Sequence, residues 1–447
     1  MHANMHITNN LGEPTMATTE SYLECTEPAT VAWERLGKAP VSAAWSAGDE
    51  PEPALHRIHA YPAKFPAFLT GRALDYSAQV GLQVRRIGDL FCGCGTVAHE
   101  ARRRGLAFWG CDINPVAILI AQAKCTPIDV ATLLARSEAI VRRAPSEKGS
   151  RGHSPTARAY LLRWHGADHY AELARLLDAI DAEAPEGPER TGLLCAFSSI
   201  IKGCSRWRAW SAKPSIDEAK APAPPLQAFV AACERLAQAH ASAQWPPGPE
   251  AHLALADVRR VEAPAQRLQT LICSAPYGTS VDYVELHQLS AAWLGHHDQL
   301  TQLRRESIGS RLAGTRFASS HGQLNAVGRQ VAFALLPRDP AAAAALSNYF
   351  VDMQQVAARA LDFLTADGLA VFVVGNAQLR GVTIDNAAHL TEALLEAGFS
   401  RVRVARRRTS NKSTSPFRDR LGRLSREPTS IRQYEEEFVL IAHREAA

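Results

Sequence analysis

A chain of 447 residues with an apolar fraction of 46% has ample material for a core and is long for one domain, so a core domain carrying a large insertion is expected. No run of about eighteen apolar residues is present, and the N-terminus lacks a basic start followed by an apolar stretch; neither a membrane span nor secretion is expected, and the cytoplasm is. Nine cysteines at scattered spacings suit a reducing compartment, and the net charge of +4 hides a lopsided distribution.

Residues 1–50 are polar, dotted with proline and without sustained periodicity, and read as a flexible leader in which Met5 and Met16 are alternative starts. Order is expected from Leu55, where Tyr61, Phe65 and Phe68 supply aromatic anchors that either pack on a sheet or cover a ligand. Ala67–Tyr76 suits a short helix.

The stretch from Arg86 to Pro115 reads as strand, glycine turn, helix, strand, which is half of a doubly wound sheet. Gly93 and Gly95 let the backbone turn sharply and let a ligand come close. A dinucleotide fold would want a third glycine where Ala98 stands, so the pattern suits a nucleoside without phosphates. Asp112, ending the second strand, is expected to accept from both hydroxyls of a ribose, and Asp89 to hold the turn or a cationic group. The plainer alternative is an ordinary βαβ turn with a capping aspartate. Cys92 and Cys94 lack metal-ligand spacing, and no metal is expected.

Pro115 suits the first position of a helix over Val116–Lys124. Arg142–Arg158 reads as a linker, while Tyr160–Ala182, Thr191–Arg206 and Leu226–Ala243 have helical spacing. Together they predict a mostly helical insertion over 128–249, a candidate target-recognition region, with the catalytic domain formed by 51–127 and 250–447. Within it Lys202, Arg206, Trp207, Arg208 and Trp210 interleave cations with aromatics, a composition suited to phosphates and stacked bases, and nearly as well to the buried end of a helix.

The sheet is expected to resume at His252–Ala256, with Asp257 at its end, and again at Leu268–Cys273, which runs into Ser274-Ala275-Pro276-Tyr277. Cys273 reads as core. Asp282, Tyr283, Glu285 and His287 fall on a helix, and Arg304–Gly328 on a polar loop. A helix over Ala342–Leu364, a strand over Leu369–Gly375 and a helix over His389–Ala397 follow. Arg401–Ala405 and Glu437–Ala442 suit a closing hairpin. From Arg401 to Arg432 eleven Arg or Lys face two acids, either the footprint of a phosphate-backbone contact or a solvated loop.

Four stretches carry a resemblance: RIHAYPAKFP (Arg57–Pro66), DLFCGCGT (Asp89–Thr96), GCDINP (Gly110–Pro115) and SAPYG (Ser274–Gly278). In kind and order they resemble the S-adenosylmethionine-dependent methyltransferases, and more narrowly the site-specific DNA amino-methyltransferases that modify N4 of cytosine or N6 of adenine. The resemblance implies a Rossmann-like doubly wound α/β sheet with a C-terminal antiparallel hairpin. It implies S-adenosyl-L-methionine held by Lys64, Phe65, Asp89, Phe91, Gly93, Gly95, Thr96, Asp112 and Ile113, with Asp257 against the adenine. Ser274, Ala275, Pro276 and Tyr277 would be catalytic, acting on a base flipped out of DNA, with Tyr277 as its stacking face. Serine at the head of the motif is more typical of cytosine-modifying members. Ala275 stands where the family usually has proline, and the insertion sits between the second and third strands, not after the third. Two alternatives are an RNA base methyltransferase and a DNA-binding protein with a catalytically weak methyltransferase core.

Overall fold

The computed structural model describes residues 20–48, 51–62, 64–149, 152–208, 211, 214–278, 283–310, 321–409, 417–418, 424–425, 431–432 and 436–445. Its strands are β1 (Leu23–Cys25), β2 (Arg86–Asp89), β3 (Ala107–Asp112), β4 (Ala251–Leu255), β5 (Leu268–Ser274), β6 (Leu364–Val374), β7 (Ala377–Leu379), β8 (Val382–Ile384), β9 (Arg401–Arg408), the two-residue strands β10 (Phe417–Arg418), β11 (Leu424–Ser425) and β12 (Ile431–Arg432), and β13 (Glu436–His443). Eight of them form one sheet in the order β1-β9-β13-β6-β5-β2-β3-β4. The five strands from β6 to β4 are parallel, and β13 enters antiparallel between β6 and β9. This is the expected doubly wound α/β sheet with its closing hairpin.

Alternation explains why both faces are covered. Leu369, Val371 and Val373 of β6 and Val439 and Ile441 of β13 join one buried cluster with Leu69, Ala73, Val97 and Ala101. Their alternates Ala370, Phe372, Val374, Phe438 and Leu440 join another with Phe350, Met353, Val356 and Leu394. Strands apolar on both sides demand helices on both sides. Helices α2 (Phe68–Gln79) and α3 (Thr96–Arg103) cover the first face, and α13 (Pro340–Phe363) and α14 (Asn386–Ala397) the second.

Helix α4 (Pro115–Cys125) starts where Pro115 predicts it, capped by Asn114, whose side chain accepts from Val116 N–H at 3.0 Å. Between β3 and β4 the chain then forms α5 (Val130–Arg143), α6 (Pro155–Glu183), α7 (Pro188–Ile200) and α8 (Pro225–Ala241). They share a core, including Leu133, Leu161, Leu177, Phe197 and Phe229, with Val116 and Ile120 of α4 and Trp293 of α10 (Gln288–Trp293). Helix α6 begins five residues before the expected Tyr160, because Ser154 caps it and Pro155 occupies its first position.

Residues 20–48 correct the expectation of a flexible leader. Strand β1 pairs antiparallel with β9, Leu23 opposite Val404, and Trp45 is 1% exposed. The ordering comes from isolated anchors, which leave no periodicity to read; residues 1–19 lie outside the described part. The first part of the basic stretch is met by carboxylates of the fold. Arg403 pairs with Glu24 at 3.0 Å, Arg406 with Glu436 at 3.0 Å, Arg407 with Glu437, and Arg401 with Glu445. These four are sheet residues with carboxylate partners in the fold, whereas Lys412, Arg420, Arg423 and Arg426 lie outside the described residues. Among the described residues no helix is long and apolar enough to cross a membrane.

Candidate active site

The parallel order reverses at the boundary of β2 and β5, and ligands in open α/β sheets bind beyond the carboxyl ends of the strands at such a point. The glycine turn leaves β2 there and Ser274 ends β5. The residues leading into them are in contact: Leu90 N–H donates to Cys273 Sγ at 3.3 Å. Cys273 is fully buried, and burial drives its thiol pKa well up, which fits a core residue.

Gly93 and Gly95 have φ of +48° and +73°. At Gly95, which caps α3, a Cβ would stand 2.7 Å from that of Ala121, so the turn lies directly on α4, with Thr96 buried behind it. At Gly93 a Cβ would stand 3.3 Å from the Tyr61 hydroxyl. Asp112 ties the turn to the next one: Oδ2 accepts from Gly93 N–H at 2.9 Å and Oδ1 from Asn114 N–H at 2.8 Å. Burial pushes its carboxyl up to about 6 against these donors. Asp89 is 3% exposed, accepts from Phe91 N–H at 3.0 Å, and is pushed by burial to about 7. Phe91 and Ile113 are half-buried beside these carboxylates in sequence.

The segment before α2 roofs this turn. Tyr61 stacks on His287 with ring centroids 4.9 Å apart, and His287 Nδ1 lies 3.4 Å from Asn114 Nδ2. His59 Nε2 meets the Ser198 hydroxyl of α7 at 2.9 Å. Two expected cofactor residues are occupied elsewhere. Lys64 Nζ pairs with Glu52 at 2.6 Å and donates to His56 O at 3.1 Å, and Phe65 packs with Phe68 against the sheet. Asp257 differs too: both its oxygens bind Arg259, which also pairs with Asp352 at 2.7 Å. Burial raises its carboxyl, but Arg259 outweighs that and holds it below the usual range.

At the tip of β5, Ala275 N–H donates to Val373 O at 3.2 Å and Tyr349 hydroxyl donates to Pro276 O at 2.8 Å. Tyr277 hydroxyl donates to Glu437 Oε1 at 2.8 Å, and its ring lies against Gly375. Ala275 thus extends the ladder with a bond that proline, lacking an N–H, could not make. Tyr61 was expected to pack on the sheet or to cover a ligand; Asn114, His287, Tyr349, Gly375 and Glu437 had no assigned part in the site. Asn114 and Tyr61 lay inside resembling stretches, whereas Glu437 and Gly375 carry no spacing signal.

Two other clusters have partners inside the fold. Trp207 is 1% exposed against Trp164, so it offers no stacking face, and Trp210 is outside the described residues. His56, His99 and Glu100 come together in the interior, but Arg103 and Arg104 hold the Glu100 carboxylate at 3.0 and 2.5 Å. Burial opposes its charge, yet bonds from His56 and Arg104 bring it down to about 2. The Asp282 position is not described, and Glu285 pairs with Arg304 at 3.0 Å.

Over 78 residues, 17% of its length, the chain is 36% identical to the Type II methyltransferase M.MvaI of Kocuria varians, and it spans 17% of that protein. No protein-family model matches. Among solved structures, an rRNA methyltransferase, aviRa from Streptomyces viridochromogenes, aligns over 90% of this chain and 96% of its own at 12% identity, with a TM-score of 0.28, too slight a likeness to carry an argument.

Proposed function

We propose that this chain transfers a methyl group from S-adenosylmethionine to the exocyclic amine of a nucleic-acid base, with N4 of cytosine in DNA as the favoured target and N6 of adenine next. The observation that carries the reading is that the segments leading into the glycine turn and into the Ser274–Tyr277 motif lie side by side, Leu90 N–H donating to Cys273 Sγ at the switch point of the sheet. The short match to a Type II methyltransferase supports the reaction class.

The residues fit the cofactor. Gly93 leaves a cradle beneath Tyr61 that a side chain would fill. Asp112 accepts backbone N–H on both oxygens, and a carboxylate has about four acceptor sites, so ribose hydroxyls can still be received. Asp89 offers a carboxylate for a cationic group. When bound, S-adenosylmethionine supplies a methyl electrophile whose carbon–sulfur pair leaves with the sulfur.

The chain's own contribution is positional. An exocyclic amine is a poor nucleophile because its lone pair is delocalised into the ring. The Ser274 hydroxyl and the Ala275 carbonyl would accept its hydrogens, favouring a pyramidal nitrogen aimed at the methyl, while Tyr277 receives the ring of the extruded base. Replacement of the family's proline by Ala275 exchanges ring rigidity for the ladder bond to Val373. The insertion over 128–249 is the proposed recognition region, since Ser198 of α7 reaches the roof through His59.

Nucleoside mass spectrometry on DNA and RNA from cells expressing the wild type beside Tyr277→Ala tests the reading. N4-methylcytosine in DNA with the wild type alone is expected. A mark confined to RNA would move the substrate, and none in either would leave a binding protein with a methyltransferase-like core.

A further inference from the structure

We infer that Glu437 and Arg407 are positioning residues for Tyr277, fixing the plane of its ring so that an extruded base meets a preset stacking face. The inference rests on the function proposed above and deepens it for the same site. Tyr277 hydroxyl donates to Glu437 Oε1 at 2.8 Å from 160 positions away in the chain. The other carboxylate oxygen takes Arg407, whose Nε donates to Trp45 O at 2.8 Å and whose guanidinium lies 5.7 Å from the centre of the Phe68 ring. Arg407 is 4% exposed and Glu437 6%. On the ring's edge, a Cβ at Gly375 would come within 2.9 Å of Tyr277 Cε2, so the ring is gripped at its side and at its tip.

Burying a charged pair costs desolvation that an apolar pair of similar size would not. The pair is also superfluous for pairing β9 with β13, whose eight-residue ladder runs on both sides of it. What it supplies is a charged acceptor at a fixed point. Such an acceptor makes a short, directional bond with a phenol, and stacking depends on the plane that bond sets. Glu437 therefore acts on the base only through Tyr277, and Arg407 and Trp45 only through Glu437.

A double-mutant cycle separates this role from a structural one. Methyl transfer from tritiated S-adenosylmethionine is measured on genomic DNA from a methylation-deficient host and on total RNA. Glu437→Ala should lower kcat by roughly 10-fold to 100-fold and leave the cofactor KM unchanged. In the Tyr277→Phe background the same replacement should cost almost nothing. Equal losses in both backgrounds would overturn the inference. If the single variant does not fold because Arg407 is stranded, the paired Arg407→Leu, Glu437→Met variant, which leaves no buried charge, takes its place in the cycle. Fluorine NMR on protein carrying fluorotyrosine at its nine tyrosines, with the Tyr277 signal assigned by Tyr277→Phe, gives a readout free of turnover. Loss of the carboxylate should shift and broaden that signal, and an unaltered signal would refute the anchoring. Wild type that methylates neither nucleic acid, together with the shift in Glu437→Ala, would sink the proposed function and leave the anchoring standing.

Discussion

The two sides of the candidate site are built in opposite ways. The cofactor side comes from neighbours in sequence: Asp89, Gly93, Gly95 and Asp112 fall within one strand–turn–helix–strand unit, in which the Asp112 carboxylate accepts from Gly93 N–H. The base side is assembled from afar, with Tyr277 held by Glu437 and Gly375, and Pro276 by Tyr349 of α13. A ligand common to many enzymes is met by local geometry. Under the proposed function the target, which differs among them, would be met by a surface that only the completed fold provides.

If the two sides are separable, Tyr277→Ala should reduce methyl transfer by about 100-fold or more, as expected when a positioned reactant is set free. Cofactor affinity by calorimetry should stay within about twofold, since no group on the Asp112 side is touched. A parallel loss of affinity would break the comparison.

Asp112→Ala should do the converse. Hydrogen bonds to a charged group contribute about 1.5–3 kcal/mol each, so cofactor binding should weaken roughly tenfold to hundredfold. Unchanged affinity would remove the ribose role. Gly95→Ala should destabilise the fold by about 1–3 kcal/mol, because the residue is left-handed and its new methyl would meet Ala121. Denaturant unfolding measures it.

The Asp89 carboxyl gives a pH signature. Its folded pKa, about 7, lies above the unfolded value of about 3.9, so its stabilising contribution is complete below the unfolded value and is lost as pH rises through about 7. Over the same rise the carboxylate forms, and affinity for a cationic cofactor should strengthen severalfold between pH 6 and pH 8. Asp89→Asn should flatten both trends; a slope that survives it belongs to another group. The smallest effect is expected from Ala275→Pro. Loss of one ladder bond should cost about 1 kcal/mol in thermal unfolding, with turnover changed only a few-fold.

The same division decided what could be read from sequence. The apolar strands, the helix start at Pro115, the glycine turn and the closing hairpin were legible because each is announced within a few residues. The ordering of residues 20–48 was not, since a three-residue strand and a lone Trp45 gain their meaning from β9. Nor were the partners of Arg403, Arg406 and Arg407: a run of arginines in one strand looks like a phosphate footprint until Glu24, Glu436 and Glu437 are brought beside it. The bond to Asp257 from Arg259, two positions on, was not legible either. Lys64 was spoken for by Glu52, twelve residues before it.

The pairing of β1 with β9 also has a consequence in time. Arg403 and Glu24 meet across 379 positions, and Tyr277 finds Glu437 only in the strand that follows. During synthesis β2 lacks its neighbour β5, and Tyr61 lacks His287, until residue 287 has been made. The partner that fixes Tyr277 does not exist until residue 437 has been made. A nascent chain would therefore be able to hold its cofactor long before it could act on a base, and activity would arrive late and all at once, with the sheet already closed.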